Sequence, residues 1–172
     1  MKKYSSLIIF TFCLLLFSFQ TYADAKLNKG ATYEGKVVKI ADGDTLTLLL
    51  EKTQYKIRLA QIDTPEKGQP YGQKAKQALG NMVFNKLIKV KIETIDRYGR
   101  YVADIYLDKK HVNAELVKAG AAWVYRKYSN NKVLILLEQD AKKNKIGLWG
   151  MQEDQIMAPW EWRKFIRTNP KK

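Results

Sequence analysis

The feature that most constrains this chain is a two-residue rhythm of apolar side chains that recurs in five short runs. Alternation of this kind gives an extended strand one face to bury and one to expose. Val37, Val38 and Ile40 carry the first run, and Leu46, Leu48 and Leu50 alternate with Thr45, Thr47 and Leu49 in the second. "DGD" supplies the turn between them, with a glycine that tolerates positive φ and aspartates that cap turns locally. "EK" then leads into the third run, "TQYKIRLAQI", while "IKVKIETID" and "YVADIYL", joined by "RYGR", are the fourth and fifth. Between the third and fourth lies a loop broken by proline and glycine, "TPEKGQP". Ala75, Ala78, Leu79, Met82 and Val83 follow it at helical spacing. Two more helical stretches come last: "VNAELVKAG", which stops at Gly120, and "KVLILLEQDAKKNKIGLW", whose apolar face includes Leu134, Leu137 and Ala141.

The order is therefore three strands, a helix, two strands and two helices. It suits an α+β, mainly β domain built as a small Greek-key barrel of the OB type, which presents a nucleic-acid-binding face. Other α+β arrangements share this order. At 172 residues the chain fits one domain, assigned to residues 26–150. Residues 151–172 form an aromatic then basic C-terminal tail, with tryptophans that pack onto the domain and a frayed end. Residues 1–25 read as a secretory signal peptide: "MKK" is the positive start, Leu7 to Phe19 is nearly all apolar, and "TYADA" allows cleavage after Ala23 or Ala25. The apolar run is shorter than the roughly 20 residues a spanning helix needs. The expected product is secreted, extracellular or periplasmic, with no stable membrane association after cleavage. Nothing in the sequence demands more than a monomer.

Charge and rare residues narrow the chemistry. The formal net charge of +14 makes polyanions the natural partners: nucleic acid, acidic glycans or anionic membranes. The single cysteine, Cys13, falls within the leader, so the mature chain has neither cysteine catalysis nor thiolate metal sites. One histidine, His111, argues against histidine triads and multi-histidine zinc sites; beside Lys109 and Lys110 it reads as solvated surface. Carboxylate, arginine, lysine and tyrosine remain.

Several of these residues sit where a plain strand or turn does not need them. Asp42 and Asp44 flank Gly43; Arg58, Asp63 and Glu66 surround the end of the third strand; Arg97 and Arg100 bracket Tyr98 and Gly99. In a meander the start of strand two and the end of strand three share one end of their hairpin, which brings Asp44 and Asp63 together. Two carboxylates and a backbone carbonyl are hard oxygen ligands suited to calcium or magnesium. Glu66 is placed to act as a base, and arginine forks match phosphate oxygens. A divalent ion, a base and two arginines make a phosphodiesterase. Each piece also has a structural reading, since aspartates cap turns and surface arginines are common in a basic chain.

"VVKIADGDTLTL", "IRLAQIDTPE", "DRYGRYVADIYL", "HVNAELVKAGAAWVY" and "GLWG" together resemble the staphylococcal nuclease (thermonuclease) family, in the family's order, and "PWEWRK" recurs in its bacterial members. The resemblance implies a five-stranded OB barrel with three helices and Ca²⁺-dependent endonucleolytic hydrolysis of DNA and RNA. In-line water attack would leave a 3′-phosphate. It makes Asp44 and Asp63 carboxylate ligands, Thr64 a backbone-carbonyl ligand, Glu66 the general base, and Arg58 and Arg100 the arginines on the scissile phosphate. Arg97, Tyr98, Trp123 and Tyr125 are the expected substrate contacts, with packing at the core or rim as the alternative for Trp123. Asp42 is expected either to support the ligand residues from behind or to cap its turn. The loop after Glu66 is shorter than in the staphylococcal enzyme, which bears on how substrate is gripped more than on whether it is cut.

Two non-enzymatic readings compete. A non-catalytic OB module would bind nucleic acid through its basic surface, but the intact set of Asp44, Asp63, Glu66, Arg58 and Arg100 counts against it. A basic protein docked on an anionic envelope or glycans explains the charge and leaves the acidic cluster idle.

Overall fold

The computed structural model describes residues 26–169; the expected signal peptide, its cleavage sites and residues 170–172 lie outside them. The strands are β1 (Thr32–Ile40), β2 (Thr45–Leu50), β3 (Thr53–Leu59), the short β4 (Ile62–Asp63), β5 (Leu87–Ile95), β6 (Tyr101–Leu107), and the short β7 (Lys110–His111) and β8 (Trp123–Val124). β1 pairs with β2 and β2 with β3; on its other edge β1 pairs with β5, and β5 with β6, all antiparallel. A parallel pairing of β3 with β6, Ile57 opposite Tyr101 and Leu59 opposite Ala103, closes the ring of five long strands. Closure removes the exposed sheet edges that an open meander would leave.

The alternation explains which way each strand faces. In β5, Ile88, Val90 and Ile92 are buried while Lys89 and Lys91 are exposed. With Val37, Leu46, Ile57 and Ile105 they fill the barrel, and burying each such side chain contributes about 1.5–3 kcal/mol. Helix α1 (Gly72–Val83) lies against β1 and seals the barrel with Leu79 and Val83. Helix α2 (Val112–Lys118) packs on β6 and on α3 (Lys132–Lys143). The start of α3 is capped by Asn131, whose side-chain oxygen accepts from the Val133 and Leu134 amides at 3.0 and 3.4 Å. Fully buried Asn113 stitches the barrel seam, accepting from the Ile105 amide and donating to the Ala60 carbonyl, both at 3.0 Å.

The expected tail is more ordered than its composition suggests. After two 3₁₀ turns, Gly147–Gly150 and Glu153–Gln155, a fourth helix α4 runs from Pro159 to Thr168. Proline is harmless in the first turn, where its missing N–H has no helical partner to lose. Trp160, at the start of α4, stacks flat on Tyr125 with centroids 5.2 Å apart. Among the described residues no helix is long and apolar enough to cross a membrane.

Candidate active site

Hairpin register sets the first half of the site. Thr45 stands opposite Arg58, so the residue before β2 meets the residues that follow β3. The Leu59 amide donates to the Asp44 carbonyl at 2.8 Å, and the Thr64 amide donates to Asp44 Oδ2 at 2.9 Å. Asp44 and Asp63 are buried, 5% and 1% exposed. Arg58 lies between them, with Nη1 3.1 Å from Asp44 Oδ2 and Nη2 donating to Asp63 Oδ1 at 2.8 Å. Its Nη1 also donates to the carbonyls of Leu59 and Ile62 at 2.8 and 3.0 Å. A guanidinium has five donors in a rigid fork, so these bonds fix its plane, and among the described residues Nε and one Nη2 proton are left over.

Asp42 caps its turn, as expected, by accepting from the Asp44 amide at 3.1 Å. Gly43, however, is needed for a different reason from the one expected. Its φ is not left-handed; instead, a Cβ there would fall 2.7 Å from Thr64 Oγ1. Only glycine lets the two halves of the acidic site approach this closely. Burial, then the neighbouring Asp44 charge, pushes Asp42 up to about 6. Asp63 is also raised: burial and Asp44 push it up, and the Arg163 hydrogen bond and Arg58 charge pull back only in part.

The "RYGR" turn builds the opposite wall. Gly99 adopts φ +77°, a left-handed conformation that glycine accepts without strain. Asp96 organises the turn: its Oδ1 accepts from the Tyr98 and Arg100 amides at 2.9 and 3.0 Å. Its Oδ2 accepts from Arg100 Nε at 2.8 Å and lies 2.7 Å from Arg100 Nη2. Arg100 Nη1 is thereby aimed at Thr45 Oγ1, 3.5 Å away, which itself donates to Asp44 Oδ1 at 3.2 Å. Arg97 donates to the Tyr98 hydroxyl at 2.7 Å, and Tyr98 is 68% exposed.

Asp44, Asp63, Thr64, Glu66, Arg58, Arg97, Tyr98, Arg100 and Tyr125 line one open cleft of about 920 Å³. Trp123 does not. Its ring packs edge-on against Trp149 and Trp160, at 4.3 and 5.7 Å, with Lys142 Nζ 5.0 Å from its centroid. Of the two roles expected for Trp123, base stacking and packing, the structure shows the packing one, with Trp149 and, from α4, Trp160 against its ring. Exposed Tyr128, which lines the cleft and meets Tyr125 edge-on at 4.9 Å, is the aromatic surface that sequence reasoning passed over. His111 is also corrected from solvated surface: its Nε2 lies 3.0 Å from Asp104 Oδ1 and its ring stacks on Tyr106.

The largest omission is Arg163 on α4. Its Nη2 donates to Asp63 Oδ2 and its Nη1 to Glu66 Oε1, both at 2.7 Å. Burial works against the guanidinium charge, yet the bonds to Asp63 and Glu66 raise its pKa above the ordinary arginine range. The stretch "PWEWRK" pointed to tryptophans that pack onto the domain, but to neither the helix that carries them nor the carboxylates its arginine reaches.

The donor chemistry fits a hard cation. Asp44, Asp63 and the Thr64 carbonyl offer oxygen alone, and among the described residues no group of three or more His, Cys, Asp or Glu side chains forms a metal cage. Such a set is completed by water, which oxygen-seeking ions such as calcium and magnesium retain and soft metals do not favour. Two buried carboxylates whose charges oppose one another also gain from added positive charge.

Comparison with known proteins agrees with this geometry. The family described as "Staphylococcal nuclease homologue" matches residues 56–151. The chain is 37% identical to an "Uncharacterized endonuclease" of Haemophilus influenzae, over 94% of this chain and 88% of the relative. It is 34% identical to a "Micrococcal nuclease" of Shigella flexneri, over 80% and 84% of the two chains. It is also 42% identical to "Staphylococcal-like nuclease CAN1" of Arabidopsis thaliana over 66% of this chain, which spans 35% of that relative. A mixed five-stranded barrel carrying this cleft, matched by the family across its central residues, makes the chain a member of the staphylococcal nuclease family and a nuclease.

Proposed function

We propose that the protein is a calcium-dependent endonuclease that hydrolyses phosphodiester bonds of DNA and RNA and leaves 3′-phosphate ends. The observation that carries this reading is the meeting of two buried carboxylates, Asp44 and Asp63, with Arg58, Arg100 and Glu66 in one open cleft. Ca²⁺ held by Asp44, Asp63 and the Thr64 carbonyl would supply Lewis-acid stabilisation of charge on the phosphate oxygens. Arg58 and Arg100 bind and orient the phosphate from opposite walls and neutralise charge as it builds on phosphorus. Glu66 takes a proton from a water that attacks phosphorus in line, the P–O5′ bond breaks, and the departing 5′ oxygen takes a proton from solvent. Arg97, exposed Tyr98 and Tyr125 hold neighbouring nucleotides by charge and ring contact. The net charge of +14 adds diffuse, salt-sensitive attraction along the strand. The enzyme acts as a monomer outside the cytoplasm, in the periplasm or the medium, after loss of its leader and without a lasting membrane attachment.

One digest tests the reading. Mature protein is incubated with DNA and with RNA, with and without Ca²⁺, and the product ends are determined. Internal cuts in both polymers that need Ca²⁺ and carry 3′-phosphates are expected. Salt-sensitive binding with no cutting under any divalent ion would replace the reading with a binding module, and 5′-phosphate ends would overturn the assigned direction of bond breakage.

A further inference from the structure

Among the carboxylates proposed for the reaction, Glu66 is more exposed than Asp44 and Asp63. It follows Pro65 in the loop leaving the barrel, its side chain is 38% exposed, and the next two residues are exposed turn. A base must hold its oxygen within hydrogen-bond reach of the water it activates. An unrestrained glutamate has three side-chain torsions and no reason to choose one rotamer. Among the described residues, Arg163 is the one side chain that bonds the Glu66 carboxylate, at 2.7 Å.

Arg163 reaches Glu66 from a helix that is itself well located. Tyr125 stacks on Trp160, one turn before Arg163, with ring planes 1° apart. Gln69, only 5% exposed, donates to the Met157 carbonyl at 2.6 Å just ahead of α4 and accepts from the Glu66 amide at 3.1 Å. The base is thus tied to the same C-terminal segment twice, through its main chain by Gln69 and through its carboxylate by Arg163. The second half of the Arg163 fork bonds Asp63, which fixes the distance between the two carboxylates. A planar fork does this in a way a point charge cannot.

Resting on the nuclease reading above, we propose that Arg163 is a positioning residue for the reaction. It holds the Glu66 carboxylate in its working rotamer beside Asp63, so that α4 completes the catalytic unit. It acts through Glu66 and makes no claim on the phosphate. Because it also shares Asp63 with the cation site, its removal lowers turnover without weakening cation binding; a competing positive charge leaves Asp63 as Glu66 is released.

The test uses the mature chain and three variants, Arg163→Gln, Arg163→Lys and Glu66→Gln, with the double variant Arg163→Gln/Glu66→Gln. Thermal melts establish that each is folded. Cleavage of DNA in Ca²⁺ gives kcat and KM, and calorimetry gives Ca²⁺ affinity without substrate. Arg163→Gln is expected to lose about 10- to 100-fold in kcat, with KM nearly unchanged and Ca²⁺ bound at least as tightly as before. Arg163→Lys should recover part of the loss, and Arg163→Gln should cost nothing further once Glu66 is already glutamine. The proposal is overturned if Arg163→Gln keeps or raises kcat, which would make α4 a bystander or an inhibitory latch. It is also overturned if turnover and Ca²⁺ affinity fall together, or if the two substitutions simply multiply. Should Arg163→Gln not fold, Arg163→Lys carries the same cycle with Glu66→Gln, and multiplying losses there are equally fatal. Wild-type protein that cuts nothing in any divalent ion would remove the nuclease reading and this proposal with it, whereas active wild type with an equally active Arg163→Gln removes the proposal alone.

Discussion

Arg58 reaches Asp63 from five residues away, whereas Arg163 reaches the same carboxylate from one hundred residues away. Arg58 belongs to the barrel wall. The register of β2 against β3 fixes it, and its side chain is 13% exposed. Arg163 belongs to α4, is 41% exposed, and stays in place only while that helix is docked. The contrast separates what the fold cannot lose from what it can release. A buried charge network in the wall is inseparable from stability, but the outer contacts can change turnover while the barrel persists.

The largest break in that comparison should come from Arg58→Ala. It takes the bridging guanidinium from between buried Asp44 and Asp63 and leaves Arg163 to hold Asp63 alone; removing one partner of a buried ion pair costs about 3–5 kcal/mol of stability. Loss of its charge from the transition state costs at least about 2.7 kcal/mol more in the cleavage barrier, if it acts as an oxyanion-site donor does. Denaturant midpoints and initial rates read the two losses separately. Arg100→Ala, next in size, should lose a similar rate, about 2.7 kcal/mol in the barrier, yet melt close to wild type because Arg100 sits at a partly exposed turn. Equal destabilisation in both variants would dissolve the distinction between wall and turn.

Smaller effects sharpen the other side. Trp160→Ala removes the stack on Tyr125 and the edge contact with Trp123. Aromatic pairing is worth about 0.5–1.5 kcal/mol beyond burial, so a lowered melting temperature with loosened α4 is expected, seen as faster proteolysis after Gly150. Unchanged cleavage of the C-terminal segment would show that α4 is held by something else. Asp96 gives the smallest and most conditional effect. Burial alone would raise its carboxyl, but hydrogen bonds from the Arg100 amide and side chain and from the Tyr98 amide hold it below the usual 3.8. A depressed acid contributes stability that is fully present above its unfolded value and fades as pH falls through the folded one. The urea midpoints of wild type and Asp96→Asn should therefore differ at about pH 6 and converge as pH drops below 3.8. A gap that widens in acid would contradict the sign.

The two regions were also unequally legible in the sequence. Alternation from Thr45 to Leu50 and from Thr53 to Leu59 defines a hairpin, and a hairpin dictates that Asp44 and Asp63 share an end. That part is local, and the structure shows the pairing that alternation implies. The glycine of "DGD" reads as a turn residue by rule, but its true constraint is the approach of Thr64, which no local pattern encodes. Trp123 stands in a strand segment, and alternation cannot say that α4 and Trp149 will cover its ring. Arg163 was opaque because an arginine in a basic tail looks solvated until a tertiary contact supplies its partner, and His111 because it follows two lysines. Asp63 and Glu66 come from elements that only the docking of α4 brings near, whereas Asp104 lies across the local β6–β7 hairpin, whose two-residue β7 is too short for alternation to reveal.

The most direct test of the account is the rate of DNA cleavage against Ca²⁺ concentration for wild type and Asp63→Asn, measured side by side. Asp63 is where the wall, α4 and the proposed cation meet, and asparagine keeps its size while removing its charge. Wild type is expected to saturate with Ca²⁺, while Asp63→Asn needs far more Ca²⁺ and reaches only a small fraction of the rate. Two curves that superimpose, with the variant folded, would contradict it.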